Sequence, residues 1–158
     1  MLFKQMLRAI ALAAAVFFVL PAAAQDQASP QVPVLIHAGG STYKFLAEIA
    51  DSGPEREQGL MFREHLDPNQ GMLFLYPVAK PVAFWMKNTP LPLDMLFIAD
   101  DGRILNVAPM AKPFDTSPIS SKGAAIAVLE ILGGSAAQLG IEAGDKVEWP
   151  AQPAPATP

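Results

Sequence analysis

The sequence predicts a mainly β protein, a single small barrel or sandwich of about eight short strands with one or two short helices. Three observations carry this. Short apolar or alternating runs recur along the chain between turn signals rich in Gly, Pro and Asp. Helix-like periodicity is confined to two brief segments. The length of 158 residues, 51% of them hydrophobic, suits one core rather than two domains.

Residues 1–24 are expected to be removed before folding. Lys4 and Arg8 form a short basic start, and an unbroken apolar run follows from Ala9 to Leu20. Ala22 and Ala24 then occupy the two positions that a signal peptidase reads. This is the three-part pattern of a secretory signal peptide, and its core is short for a membrane span. Cleavage after Ala24 leaves a chain expected in the periplasm or outside the cell, with no stable membrane span. Residues 25–31 are polar and read as a linker. The Pro/Ala tail, residues 151–158, suits neither helix nor ladder. The single domain is thus placed at residues 32–150.

Within it, Val34 to His37 and Tyr43 to Ala50 flank Gly39-Gly40, a two-residue hairpin signal. Tyr43, Phe45, Ala47 and Ile49 fall on one face at period two. Ser52 with Glu55 forms a capping-box pattern with Pro54 in the first turn, so a short helix is expected from about Pro54 to Phe62. Strands are expected at Gly71 to Tyr76 and Val82 to Met86. Another is expected at Leu93 to Ala99, whose apolar residues on both faces predict burial on both sides. Asp100-Asp101-Gly102 turns into a strand from Arg103 to Ala108. Ala111 to Lys122, with Pro113 and Pro118, reads as a loop. Ala124 to Leu132 is a long apolar strand broken by Gly133-Gly134. Ser135 to Leu139 makes one helical turn ended by Gly140, and Lys146 to Trp149 is the last strand.

Composition excludes several classes of chemistry. With no cysteine, the chain forms no disulfide, zinc–thiolate site, iron–sulfur cluster or cysteine nucleophile. The two histidines, His37 and His65, cannot build a multi-histidine metal site. Eleven basic against fifteen acidic residues argue against nucleic acid as a partner. No Gly-x-Ser-x-Gly elbow, phosphate-binding glycine loop or His-Glu-x-x-His motif occurs. Thioethers select Cu(I), but the methionines show no Met-x-Met or Met-x-x-Met pair and read as core fillers. No cofactor or metal is expected, and the oligomeric state is not legible.

Glu130 is the most informative residue. It is the only charged side chain between Gly123 and Ile141, on a strand face shared with Ile126, Val128 and Leu132. A carboxylate there must find a cation or hydrogen bonds, or its pKa rises. It is a candidate base or ligand-binding acid at the bottom of a pocket, or one half of a structural pair with Arg63 or Lys87. The run Phe84 to Asp94 supplies an aromatic, a cation, an amide, a hydroxyl and an acid: Trp85, Lys87, Asn88, Thr89 and Asp94. If the strand continues through Thr89, Trp85, Lys87 and Thr89 share a face at a sheet rim ended by Pro90 and Pro92. Arg63 is a candidate to grip an anion or Glu130, because guanidinium binds carboxylate bidentately. His65, among Glu64, Asp67 and Asn69, reads as a surface residue.

Gly59-Leu60-Met61-x-Arg63, Gly71-Met72-Leu73-Phe74, Phe84-Trp85-Met86-Lys87-Asn88-Thr89, Leu93-Asp94, Leu129-Glu130 and Gly144-Asp145-Lys146-Val147 occur in this order. Over about Tyr43 to Trp149 the chain thereby resembles the family called domain of unknown function 192. The resemblance implies a small β-rich domain, often exported, whose activity is not established. It also singles out Arg63, Lys87, Asn88, Asp94 and Glu130.

The favoured function is binding of a small polar ligand, carbohydrate-like or anionic, by Arg63, Trp85, Lys87, Asn88, Thr89, Asp94 and Glu130. An alternative is an envelope hydrolase or lyase using Lys87, Asp94 and Glu130 as acid–base groups. A third is a structural or interaction protein with a buried Arg63–Glu130 network.

Overall fold

The structure is a computed structural model that describes residues 30–150. The expected signal peptide and C-terminal tail lie outside the described residues. Nine strands and two short helices follow one another: β1 (Gln31–Ala38), β2 (Ser41–Ala50), α1 (Gly53–Gln58), β3 (Gln70–Lys80), β4 (Ala83–Phe84), β5 (Leu93–Ile98), β6 (Ile104–Ala111), β7 (Ile119–Ser120), β8 (Ala125–Leu132), α2 (Ser135–Leu139) and β9 (Lys146–Glu148). Seven strands form one curled, half-barrel sheet in the order β6-β5-β8-β3-β2-β1-β9, and β4 with β7 forms a separate ribbon. The two edges of the curl meet at one end. Arg103 bridges Lys146, Ile104 donates to the Asp145 carbonyl at 2.9 Å, and Val147 donates to that of Gly102 at 2.8 Å.

Local chemistry explains the elements. Gly39 and Gly40 both take positive φ (57° and 79°), the conformation a two-residue hairpin between β1 and β2 needs. Ser52 caps α1: its hydroxyl accepts from the Glu55 N–H while the Glu55 carboxylate accepts from the Ser52 N–H, at 3.4 and 2.9 Å. The helix ends at Gln58, four residues earlier than expected, because Gly59 takes a φ of 47° and a ψ of −134°. One strand more than expected is present. Two-residue β7 lies within a segment whose prolines and serines read as loop; it pairs with β4, and the Asn106 amide donates to its Ser120 carbonyl at 3.3 Å.

Every neighbouring pair in the large sheet is antiparallel except β2 with β3, which is parallel. A parallel pair cannot be closed by a tight turn. The connection through α1 therefore crosses over, and this forces a second layer onto the sheet. Two cores result. Val34, Ile36, Phe45, Leu73, Leu96, Leu129 and Ile131 fill the inside of the curl. Leu60, Met72, Phe74, Met86, Met95, Phe97 and Val128 pack on the opposite face of β3, β5 and β8, under the crossover and the β4–β7 ribbon. All six residues of β5 are buried, as its two-sided apolar pattern predicts. Ile126, expected beside Glu130, instead packs with the inner core, next to the register irregularity between Leu75 and Lys80 of β3.

Gly71 lets β3 and β8 lie close where Glu130 sits. A Cβ at Gly71 would be 2.5 Å from the Glu130 carbonyl oxygen, a backbone atom that cannot swing away. Gly71→Ala is expected to cost on the order of 2 kcal/mol or more, by overpacking against backbone. A denaturant titration checks this; an unchanged midpoint would contradict the close approach.

Candidate functional site

A cleft of about 630 Å³ opens between the crossover and the β4–β7 ribbon. The crossover supplies one wall, from Arg56 to Met61. Phe84, Trp85, Lys87 and Thr89 supply the other, with Thr116 and Pro118 beside them. Phe74 and Tyr76 of β3 and Glu130 of β8 form the floor. Period-two alternation puts Phe74 and Tyr76 on the face shared with Met72, and Met72 is the register partner of Glu130. The Phe84 ring stands edge-on to Phe74 and Phe97, with centroids 4.9 and 6.0 Å apart, and closes the apolar end of the cleft.

Glu130 is 4% exposed. Its cross-strand neighbours are Met72 on one side and Met95 on the other, both buried. Among the described residues no group hydrogen-bonds to its carboxyl and no cation pairs with it. Burial alone pushes its pKa up to about 8. The acid is therefore largely protonated at neutral pH, and a neutral carboxyl both donates and accepts. Burial likewise raises the Tyr76 phenol, with the Arg56 charge acting against the shift and Glu130 adding to it.

The expected partners of Glu130 are engaged elsewhere. Arg63 makes a two-pronged pair with Glu48, its nitrogens 2.5 and 2.9 Å from the two carboxylate oxygens, so the expected Arg63–Glu130 pair is not formed. Glu48 is buried on β2 and takes the guanidinium from the far end of the crossover. Asp94 is fully buried and accepts three backbone N–H bonds, from Met110 and Gly134 to Oδ1 and from Ala136 to Oδ2, at 2.8, 2.9 and 2.8 Å. It ties β5 to the end of β6 and to the turn before α2, and it does not line the cleft. Asn88 is also outside the lining. The strand expected at Val82 to Met86 covers only Ala83–Phe84 and does not continue through Thr89; Asn88 turns the chain with a φ of 54°, a conformation that Asn tolerates. Its carbonyl accepts from the Phe62 N–H at 2.7 Å, which fixes this loop to the crossover.

Trp85, Lys87, Thr89 and Glu130 are thus brought together, whereas Arg63, Asn88 and Asp94 brace the scaffold around them. Lys87 pairs with neither Glu130 nor Asp94; its Nζ lies 5.5 Å from the centre of the half-exposed Trp85 ring. His65 sits in solvent beside Asp67 at 2.8 Å. Arg56 and Tyr76 are site residues that sequence reasoning missed. Tyr76 was within reach, since it continues the alternation of Met72 and Phe74. Arg56 carries no such signal, because its place depends on the path of the crossover. Among the described residues there is no group of three acidic or histidine side chains that could hold a metal, and no helix long and apolar enough to cross a membrane.

Residues 34–149, which contain this cleft and both cores, match the profile of domain of unknown function 192, described as an uncharacterized ACR. The chain belongs to this family. It is similar to a solved protein of unknown function from Novosphingobium aromaticivorans DSM 12444, at 42% identity and a TM-score of 0.76, covering 86% of this chain and 94% of that one. It is also similar to a Sinorhizobium meliloti 1021 protein provisionally described as a transcription regulator. There the identity is 41% and the TM-score 0.74, over 75% of this chain and 93% of that one. No curated protein matches the chain.

The state of Glu130 has a consequence for stability. Its folded pKa of about 8 lies above the ordinary value of 4.5. Between those values the folded protein keeps a proton that the unfolded chain has released. Stability is therefore fully present below about pH 4.5 and is lost as pH rises towards 8, by on the order of 5 kcal/mol at most. Glu130→Gln, a neutral near-isostere, is expected to flatten this slope and to be more stable than the parent at pH 8. Urea titrations from pH 5 to 8 check it; parallel pH profiles for the two proteins would refute the buried-acid reading.

Proposed function

We propose that this protein is an exported binding module for a small polar, hydroxyl-bearing ligand, held in the cleft over Glu130. The observation that carries the reading is a buried carboxyl with no partner, at the floor of an open cleft. A carboxyl largely withdrawn from water, with no protein partner, is costly even where a narrow face opens on the cleft. A ligand hydroxyl offsets that cost, because the neutral acid can donate to it and accept from it. Trp85 supports the same reading, since a half-exposed indole at a cleft mouth offers an apolar platform to the C–H face of a ring-shaped polyol. Thr89 and Thr116 add polar groups to the walls.

This reading is favoured over the two others. Acid–base catalysis by Asp94 with Glu130 is disfavoured, because Asp94 is held by three backbone N–H groups away from the cleft. A structural Arg63–Glu130 network is disfavoured by the Arg63–Glu48 pair. The acidic balance of the chain argues against a nucleic-acid partner, and the description of the Sinorhizobium protein as a transcription regulator is not carried over. Export is supported by the basic start, apolar run and small residues before Gln25.

Isothermal titration with a panel of polyols, hexoses and hexuronates tests the binding reading. At least one compound is expected to bind with a stoichiometry of one, and Glu130→Leu is expected to weaken it about tenfold or more while remaining folded. Binding that is indifferent to Glu130→Leu, or no binding across the panel, would overturn the proposal. Mass spectrometry of protein from the exported fraction tests localisation: an N-terminus at Gln25 is expected, and retention of residues 1–24 contradicts it.

A further inference from the structure

We infer that the mouth of the cleft is an anion subsite made by Arg56 and Lys87, so that the ligand is a sugar acid or sugar phosphate, a polyhydroxylated molecule with one anionic group. This rests on reading the cleft as a polar-ligand site and adds the chemistry of its outer end.

Arg56 is anchored, and neither cation is neutralised by an ion pair among the described residues. Arg56 donates from Nη1 to the carbonyls of Asp51 and Leu75, the latter at 2.9 Å, and its guanidinium lies 5.2 Å from the Tyr76 ring centre. Both side-chain bonds leave from the same nitrogen. Nη2 and Nε therefore have no hydrogen-bond partner among the described residues. A guanidinium fixed by carbonyls and a ring face keeps its full charge and its fork for an incoming carboxylate or phosphate. Lys87 is exposed, and its Nζ lies over the Trp85 ring, 5.5 Å from its centre. Among the described residues neither cation has a carboxylate within ion-pair distance.

Among the residues that line the cleft, Arg56 and Lys87 outnumber the one exposed acid, Glu57, although the chain as a whole carries a formal −4. Glu57 lines the mouth and offsets one of the two charges, while Lys80, also 5.2 Å from the Tyr76 ring centre, adds another just beyond it. Glu130 does not discharge the pair, because it lies at the floor and is paired with neither. One end of the cleft thus suits hydroxyls and the other suits an anion. A bare inorganic anion would satisfy only the mouth, and a neutral sugar only the floor. Carboxylate and phosphate share the recognising chemistry, and comparing the two separates them.

Isothermal titration at low salt compares glucose and galactose with glucuronate, galacturonate, glucose 6-phosphate and inorganic phosphate. The best sugar anion is expected to bind about tenfold or more tightly than its neutral parent, with a gap that narrows as salt is added. Lys87→Gln is expected to reduce that gap by weakening the sugar anion more than its neutral parent, and Lys87→Arg to restore it. Arg56→Gln provides a second, independent loss of the gap. Equal affinity for neutral and anionic sugars would overturn the subsite and leave the polar-ligand reading standing. So would a gap that persists in both glutamine variants, or inorganic phosphate binding as tightly as the sugar phosphate. Failure of every sugar and sugar anion to bind would overturn both.

Discussion

The parallel pairing of β2 with β3 is the constraint on which the rest of the architecture depends. Two parallel neighbours cannot be joined by a hairpin, so the chain must leave the sheet, pass over one face and return. That passage carries α1 and residues 59–69 across the outer face of β3 and β8, and it makes these central strands two-sided. Glu130 would otherwise point from an open sheet face into water. Under the crossover it lies between two methionines, keeps only a narrow exposure at the floor of the cleft and gains no partner. The same passage places Arg56 above Tyr76 and builds one wall of the cleft.

The remaining polar groups of this layer hold that arrangement in place. Arg63 and Glu48 lock the far end of the crossover to β2, the strand from which it departs. Asp94 collects three N–H groups where β5, β6 and the Gly134 turn converge, so the neighbouring strands cannot slide past β8. The Asn88 carbonyl joins the two cleft walls at the Phe62 N–H. These acids and amides are satisfied within the scaffold, and each removal would leave buried groups unpaired. Glu130 is the exception. Its burial lowers stability as pH rises, and this mismatch amid otherwise satisfied groups is the observation on which the proposed ligand rests.

Much of the fold was legible because it rests on short-range chemistry. The Gly39-Gly40 hairpin, the Ser52–Glu55 cap and the one-turn helix ended by Gly140 depend on residues within a few positions of one another. The alternation of β2 and the two-sided burial of β5 follow from side-chain patterning alone. The site was legible in composition but not in pairing. Trp85, Lys87, Thr89 and Glu130 do converge, yet the partners assigned to Glu130 were wrong, because a lone sequence states which charges exist and not which strand lies beside which. Arg63 meets Glu48 only through the parallel return, and Asp94 meets Gly134 only through a contact forty residues away. Strand β7 was missed for the same reason, since two residues flanked by proline and serine have no strand signal apart from their partner in β4.

The central claim is that Glu130 is buried, unpartnered and protonated at neutral pH. Carbon-detected NMR of the Glu130 side-chain carboxyl across pH 3 to 10, in protein freed of ligand, tests it most directly. The account predicts a single titration with a midpoint near 8. A midpoint at or below the ordinary value of 4.5 would mean that a cation or hydrogen bonds already complete the carboxylate. That result would contradict the claim and remove the reason for assigning the cleft a ligand.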